Sequence, residues 1–247
     1  MSNILELKQR IAAAESRLGF NPLEVEQGSF QWFKMRLGVI TASKANLLLM
    51  KRGSATRRTY MAELAAEVAT GSPAEQISAK AMEWGNENEP RARDEYTFIT
   101  GKTVEQIPFI YRDMAMRTGC SPDGIDSDGT GLEIKCPFTT KVHIETMADG
   151  TIKKDYIAQM QFSMWVTGLS RWTFASYDPR MMRRNLHMMT VDRDDAAMKQ
   201  FDDAVPQFIL ELDQLLHSIG FEFGEQWSGY QLAEQQAVAQ PDPDGVF

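Results

Sequence analysis

The stretch SPDGIDSDGTGLEIKCP, residues 121–137, leaves the chain little conformational choice. DSDGTG is dense in turn-forming residues, so the segments on either side are predicted to pair as a tight antiparallel hairpin centred near Asp128. Counting outward by the same number of residues reaches Asp123 on one strand and Glu133 on the other, nearly opposite each other. Directly paired residues hold their Cβ atoms about 4.5–5.5 Å apart. Two carboxylates that close repel unless they share a proton or a cation. Glu133 and Lys135 are separated by one residue, so both project from the same face, while Ile134 points the other way into a core. Asp126, Asp128 and the glycines are expected to form the turn that brings the two carboxylates face to face.

One sheet face carrying Asp123, Glu133 and Lys135 suits metal-assisted phosphodiester hydrolysis. Hard carboxylate oxygens hold Mg²⁺, which keeps several waters and also takes up substrate phosphate. One or two such ions polarise the phosphate, lower the pKa of a water and stabilise the leaving oxygen. Lys135 would position the nucleophilic water or neutralise charge in the transition state. The competing interpretation is a solvated Glu133–Lys135 ion pair beside an acidic turn; Leu132, Ile134 and Cys136 argue against it, because a solvated strand edge has no use for them. Other chemistries fail on spacing. With Gly129 at the sixth position of a calcium-binding loop, the first and twelfth would be Gly124 and Lys135, neither of them acidic. TGKT (100–103) lacks the earlier glycine of a phosphate-binding loop, since Tyr96 stands there. His143, His187 and His217 have no metal-ligand spacing, and no Ser or Cys lies in a nucleophile elbow.

The rest of the chain supplies a frame for that hairpin. Residues 2–18 are predicted as one helix with Ile4, Leu7, Ile11 and Leu18 on one side, ended by GFNP. SFQWFKMRLGVITASKANLLL reads as a helix, a break at Gly38, and a second helix beginning after Thr41 or Ser43. KRGSATRR (51–58) reads as a basic loop, and helices are expected over 59–71 and 78–101, each ended by glycine. KTVEQIPFIYRD, MAMRTGCSPDGI and GLEIKCPF are then predicted as three strands of an antiparallel meander. A helix over 155–168, strands in RWTFASYDP and LHMMTVDRD, and a last helix broken or kinked at Pro206 complete the order. This is one α+β or mixed α/β domain, residues 1–227, with helices flanking a central sheet. The polar, Gln-rich segment 228–247 is expected to be a flexible tail. Two cysteines in 247 residues fit a reducing cytosolic compartment, and no apolar run is long enough for a membrane span.

Further motifs carry a family resemblance. VEQG…W…RLGVITAS, AKAMEWG, YRD…MRT.CSPDG, GLEIKCPFT, AQMQFSMWVT, YDPRM and GFEFGEQW, from about Val25 to Trp227, closely resemble the YqaJ-type viral recombinases. These are the alkaline exonucleases of the bacteriophage lambda type, within the PD-(D/E)XK nuclease superfamily. The resemblance implies a restriction-endonuclease-like core with a central mixed sheet. It also implies an Mg²⁺-dependent 5′→3′ exonuclease on double-stranded DNA, with Mn²⁺ as a substitute ion. Such an enzyme releases 5′-mononucleotides and leaves a 3′ single strand. A ring-shaped homotrimer and a single-strand annealing protein as partner are implied too, in the cytoplasm of a bacterial host as a phage or prophage product.

Residue by residue, the resemblance implies that Asp123 and Glu133 are metal ligands, with the Ile134 carbonyl as a third, and that Lys135 is the catalytic lysine. Glu89 matches a helix-borne acid at the second metal or its water, with Glu87 a close rival. Asp113, in YRD, matches an acidic position near the site and is carried over as a further metal ligand, although Asp at a strand end also serves as an ordinary turn residue. Gln159 matches a glutamine facing the site and is carried over as a catalytic residue, with Tyr156 one turn before it as a DNA contact; Gln161 is a rival, and ordinary helix amphipathicity is the alternative for both Gln159 and Tyr156. Arg36, Ser43 and Lys141 match a pocket for the terminal 5′-phosphate. Lys141 departs from the lambda type, which has arginine, and a lysine offers a point charge instead of a two-pronged fork. Met82 stands where the family has a leucine wedge against the duplex end, or else belongs to the helix core. Lys51 and Arg52 are candidate DNA contacts.

The net charge of −8 argues at first against a nucleic-acid partner. A ring whose inner path is lined by Arg36, Lys141 and Lys135 reconciles the two, because a local basic lane coexists with an acidic exterior. A structure-selective endonuclease and a DNA-end-binding module without activity are the alternatives. The first would cut closed circles, and the second would be expected to have lost a ligand or the lysine.

Overall fold

A computed structural model gives the fold and describes residues 2–73 and 80–228, without the side chains of residues 2, 3 and 80–82. The positions of residues 78 and 79 in the expected second long helix, and the expected tail beyond residue 228, fall outside the described residues.

The elements in chain order are α1 (Ser2–Ala12), α2 (Glu15–Leu18), α3 (Phe30–Arg36), β1 (Ile40–Thr41), α4 (Ala45–Leu48), α5 (Ala55–Thr70), α6 (Lys80–Thr100), β2 (Val104–Glu105), β3 (Ile110–Tyr111), β4 (Thr118–Cys120), β5 (Gly124–Asp126), β6 (Gly131–Lys135), α7 (Thr140–Asp149), α8 (Lys154–Thr167), β7 (Arg171–Tyr177), β8 (Leu186–Asp192) and α9 (Asp195–Ser218). The strands form two sheets. The larger has the order β2-β5-β6-β7-β8, with β6 and β7 parallel and the other pairs antiparallel. The smaller has the order β1-β4-β3, with β1 parallel to β4.

The larger sheet sits between two helices. Leu132 and Ile134 of β6, with Ala175 and Tyr177 of β7, pack on Ala92 and Tyr96 of α6. Trp172 and Phe174 of β7 face the other way, onto Met160, Phe162 and Met164 of α8. Strand β7 is therefore buried on both faces, as its nearly unbroken run of buried residues shows. Helix α9 covers α8 from outside, where Phe162 and Phe201 meet edge to face with centroids 5.1 Å apart.

Several expectations need correction. The three-strand meander is instead divided between two sheets. Its first segment becomes β2 and β3, and its second becomes β4 and β5, in each case in different sheets. Pro108 lies in the first gap and Pro122 in the second, and a residue without an N–H cannot continue a ladder. The helix over 2–18 is two helices, because Leu7 and Ile11 of α1 belong to the main core while Ala14 and Leu18 of α2 pack with Met35, Val39, Phe109 and Trp227 in a second cluster. Helix α5 begins inside the expected basic loop, with Arg57 buried on it. Helix α9 runs unbroken past Pro206. Helix α7 was not expected at all; its stop is Gly150, at φ 58° in the left-handed region where glycine carries no Cβ penalty.

Candidate active site

The β5–β6 hairpin has the predicted register. Gly124 pairs with Leu132, and Ile125 with Gly131, which puts Asp123 level with Glu133 just beyond the start of β5. The turn is fixed by Asp126, which is fully buried. Its Oδ1 accepts from the Asp128 and Thr130 amides at 2.9 Å each, and its Oδ2 from Tyr96 Oη at 2.8 Å and Lys102 Nζ at 3.1 Å. Burial alone would raise this carboxyl; the Thr130 amide, the Tyr96 hydroxyl and Lys102 outweigh it and hold the pKa below the usual range. Gly131 is required where β6 lies beside Trp172 of β7, since a Cβ there would lie 2.4 Å from the Trp172 ring.

Side chains on β6 alternate as the spacing demands. Leu132 and Ile134 face α6, while Glu133 and Lys135 face α8. Lys135 Nζ makes an ion pair with Glu133 Oε1. This is the pair anticipated as a solvated alternative, but Glu133 is only 2% exposed. Gln159 of α8 hydrogen-bonds the Glu133 carboxylate. Lys135 Nζ lies 5.1 Å from the ring centroid of Tyr156, which stacks on Phe174 at 5.7 Å. Asp123 Oδ2 accepts from the Ile134 amide at 2.6 Å, so the carboxylate reaches across the hairpin to the middle of the Glu-Ile-Lys triplet.

Glu89 reaches the same place from α6. Burial pushes its carboxyl up to about 7, with the charge of Asp123 adding and Arg93 and Lys135 opposing. Glu133 is likewise pushed up to about 7, first by burial and then by Asp123, against Lys135 and Gln159. Burial also raises Asp123, against Lys135, the Ile134 amide and Arg93. Burial alone would lower the Lys135 ammonium, but Glu133 and Asp123 hold it raised. Three carboxylates thus share a pocket with the Lys135 ammonium and the Arg93 guanidinium, and burial keeps all three raised despite these cations. Cys136 senses the same field, its thiol raised to about 12 by burial and then by Glu89 and Asp123.

The rivals separate clearly. Glu87 is exposed, whereas Glu89 interacts with both hairpin carboxylates. Gln161 is buried, donating to the Asp192 carbonyl at 2.8 Å and accepting from the Asp194 amide at 2.9 Å, so it ties β8 to α9. Asp113 is exposed in the turn after β3, where Oδ1 accepts from the Ala115 amide at 2.9 Å, and it lines a cleft with Arg10 and the C-terminal end of α8. Arg36 stacks over Trp32 at 4.1 Å and donates to Ser121 Oγ at 3.0 Å, two residues before Asp123. Burial lowers its pKa to about 10, with Glu67 opposing. Ser43 is exposed, and Lys141 is 80% exposed and pairs with Glu145 at 3.4 Å. The structure does not bring either into contact with Arg36. Arg52 makes an ion pair with Glu211 at 2.8 Å, and Lys51 is exposed. The Met82 side chain lies outside the described residues. Sequence reading missed Arg93, which lies 3.9 Å from Glu89 and donates to the Asp123 carbonyl at 3.4 Å. Its only signal was a position one turn after Glu89.

Among the described residues, no three His, Cys, Asp or Glu side chains are already drawn into a closed metal cage. The donor set nevertheless fits a hard divalent cation. Asp123 and Glu133 are adjacent carboxylates with raised pKa values, Glu89 stands behind them, and an ion such as Mg²⁺ needs only one or two protein carboxylates.

A mixed sheet with an Asp/Glu-Ile-Lys hairpin between a glutamate-bearing and a glutamine-bearing helix is a PD-(D/E)XK-type core. Residues 31–170 match the YqaJ-like viral recombinase domain, more than half of the chain, and the chain belongs to that family. An alkaline exonuclease from Laribacter hongkongensis, LHK-Exo, is 34% identical, with a TM-score of 0.70 over 85% of this chain and 100% of that one. Its complex with dAMP matches with a TM-score of 0.71 over the same shares. A phage-related exonuclease from Haemophilus somnus 129PT shares the fold at 15% identity, with a TM-score of 0.58 over 74% of this chain and 96% of that one. A 76-residue region is 53% identical to the putative uncharacterized protein ExoD of Escherichia coli K12, spanning 31% of this chain and 87% of that one.

Proposed function

We propose that this chain is an Mg²⁺-dependent 5′→3′ exonuclease of double-stranded DNA, releasing 5′-mononucleotides and leaving 3′ single strands for annealing recombination. The observation that carries this reading is the convergence of Asp123, Glu133, Lys135 and Glu89 on one end of the β5–β6 hairpin, in a chain 34% identical to an alkaline exonuclease. Asp123 and Glu133, with the Ile134 carbonyl, would hold one or two divalent cations, and Glu89 the second ion or its water. When bound, the cation supplies Lewis acidity at the scissile phosphate and lowers the pKa of a water. Lys135 positions that water and offsets the charge that grows on the phosphoryl oxygens. Gln159 orients Glu133, and Tyr156 confines the Lys135 ammonium. Arg36 is the built-in cation for a terminal 5′-phosphate, joined by Ser43 and Lys141 at the rim, with Met82 as the apolar wedge. Asp113 is a more distant acid of the same region.

The same reading makes residues 1–227 one nuclease domain acting as a homotrimeric ring in a bacterial cytoplasm, with a single-strand annealing protein as recipient of the product. Among the described residues, no helix is long and apolar enough to cross a membrane. The test compares linear duplexes carrying 5′-phosphate or 5′-hydroxyl with covalently closed circles, in Mg²⁺ and in EDTA. The exonuclease should degrade the phosphorylated linear duplex in Mg²⁺ and leave circles intact. Cut circles would instead establish an endonuclease.

A further inference from the structure

Strands β7 and β8 are joined by DPRMMRRN, residues 178–185. Lys135 of β6 is level with Ser176 of β7 in a parallel pair, so this loop starts two residues beyond the level of the catalytic lysine, roughly 7 Å along the strand. It leaves the sheet at the C-terminal end of the parallel pair β6 and β7, the end at which Lys135 stands.

The loop is anchored at its base and charged at its tip. The Asp178 amide donates to the Asn185 carbonyl at 2.8 Å, and the Met181 amide to the Asp178 carbonyl at 3.1 Å. Asp178 is fully buried and accepts from the Arg180 amide at 2.9 Å and from its Nε and Nη2 at 2.8 Å each. Arg180 also donates to the Phe138 and Pro137 carbonyls at 2.9 and 3.2 Å and lies 4.5 Å over the Trp84 ring. The loop is thereby strapped to the segment that follows Lys135. His143 Nε2 lies 3.1 Å from the Arg184 carbonyl; a carbonyl only accepts, so Nε2 is the donor and Nδ1 accepts from Ser176 Oγ at 2.7 Å. This contact holds Arg184 at φ 57°, a left-handed conformation that a non-glycine residue keeps only when its surroundings impose it.

What the anchored loop presents is Met182, 99% exposed, and the exposed side chains of Arg183 and Arg184. Arg180 is neutralised by Asp178, whereas Arg183 and Arg184 make no ion pair among the described residues. Arg183 and Arg184 are thus two adjacent uncompensated cations on a fixed support, in a chain of net charge −8. Exposed charges act over only about 10 Å at 0.1 M salt, so a steering cation is useful only if it is held close to the site.

We propose that residues 178–185 form a second nucleic-acid contact, in which Arg183 and Arg184 take backbone phosphates of duplex DNA entering the site and Met182 rests against the duplex. This rests on the exonuclease reading and adds a substrate-gripping element to it. The loop carries no base-edge readout, so the contact is independent of sequence.

The test is fluorescence anisotropy of a labelled 5′-phosphorylated duplex with the full-length protein in EDTA, over a salt series from roughly 50 to 200 mM. The Arg183→Ala/Arg184→Ala variant should bind about tenfold more weakly at ~0.1 M salt, with the log–log salt slope reduced by about 2. Arg183→Lys/Arg184→Lys should restore both, with an unchanged melting temperature, since the altered atoms are exposed. Unchanged affinity and slope in the alanine variant would overturn the proposal. So would a loss of affinity that tracks a change in sedimentation coefficient, which would assign the loop to a contact between copies of the chain. If wild-type protein released no nucleotides from duplex DNA in Mg²⁺, the exonuclease reading would fall, while the anisotropy comparison would still decide the loop.

Discussion

Asp126 and Asp123 lie three residues apart on one hairpin, and the protein treats them in opposite ways. Asp126 is buried with four hydrogen bonds, one of them from the Lys102 ammonium, and its carboxyl is held below the usual range. Asp123 is raised by burial, next to Glu133 and Glu89, both pushed up to about 7. The satisfied carboxylate fixes the turn and the register. The others carry a burial penalty on their charged forms that a divalent cation would offset. Burial disfavours charge in both places, so the difference comes from the number of donors that the fold supplies.

The comparison breaks most visibly on the activity side. Asp123→Asn keeps an acceptor for the Ile134 amide but removes a charge, and nucleotide release should fall on the order of 10³-fold. Its metal-free melting temperature at pH 8 should not fall, because a source of repulsion is gone. A clear loss of stability there would mean that Asp123 is a structural acid like Asp126. Asp126→Ala should do the reverse. It leaves Lys102 and the turn amides without their partner and should cost about 3–5 kcal/mol in urea unfolding. Nucleotide release per folded molecule should stay within a few-fold of wild type.

A smaller contrast separates the two rival pairs, Glu89 and Glu87, and Gln159 and Gln161. Glu89→Gln should slow release by roughly 100-fold and Glu87→Gln hardly at all, since only Glu89 meets the hairpin carboxylates. Gln161→Ala should lower the melting temperature by breaking the β8–α9 tie, whereas Gln159→Ala should act mainly on turnover. Reversed outcomes within either pair would exchange their roles.

The smallest effect is a pH dependence. In the unfolded chain Glu89 and Glu133 lose their protons near the ordinary value of 4.5, and in the folded metal-free protein near 7. Between these values the folded state holds more protons, so this contribution to stability declines as pH rises from about 4.5 to about 7 and is level above. Asp126 has the opposite sign: its contribution is present above the unfolded value of 3.8 and is lost as pH falls through its lower folded value. Thermal melts in EDTA should show a shallower decline over pH 4.5–7 for Glu89→Gln than for wild type. Identical slopes would show that Glu89 is not held in the carboxylate cluster.

Much of this contrast was legible in the sequence. Turn chemistry around Asp128 and the two-residue strand period were enough to place Asp123 opposite Glu133, with Lys135 on the same face as Glu133. The division into two sheets was not read, although Pro108 and Pro122 marked the crossings. Glu89 was not derivable from spacing, because a helix more than thirty residues upstream joins the site only through the packing of Ala92 and Tyr96 on β6. It entered through family resemblance, and the field around it separates it from Glu87. Arg93 and helix α7 carried no chemical signature of their own and became visible only through the packed structure.

The central claim is that Asp123, Glu133, Lys135 and Glu89 form one hydrolytic centre. Mononucleotide release from a 5′-phosphorylated linear duplex in Mg²⁺, measured for wild type and Lys135→Ala at matched folded concentration, tests it most directly. Wild type should release nucleotides steadily, and Lys135→Ala should release essentially none while still binding the duplex. Release at the wild-type rate by Lys135→Ala would contradict the account and move the chemistry elsewhere in the fold.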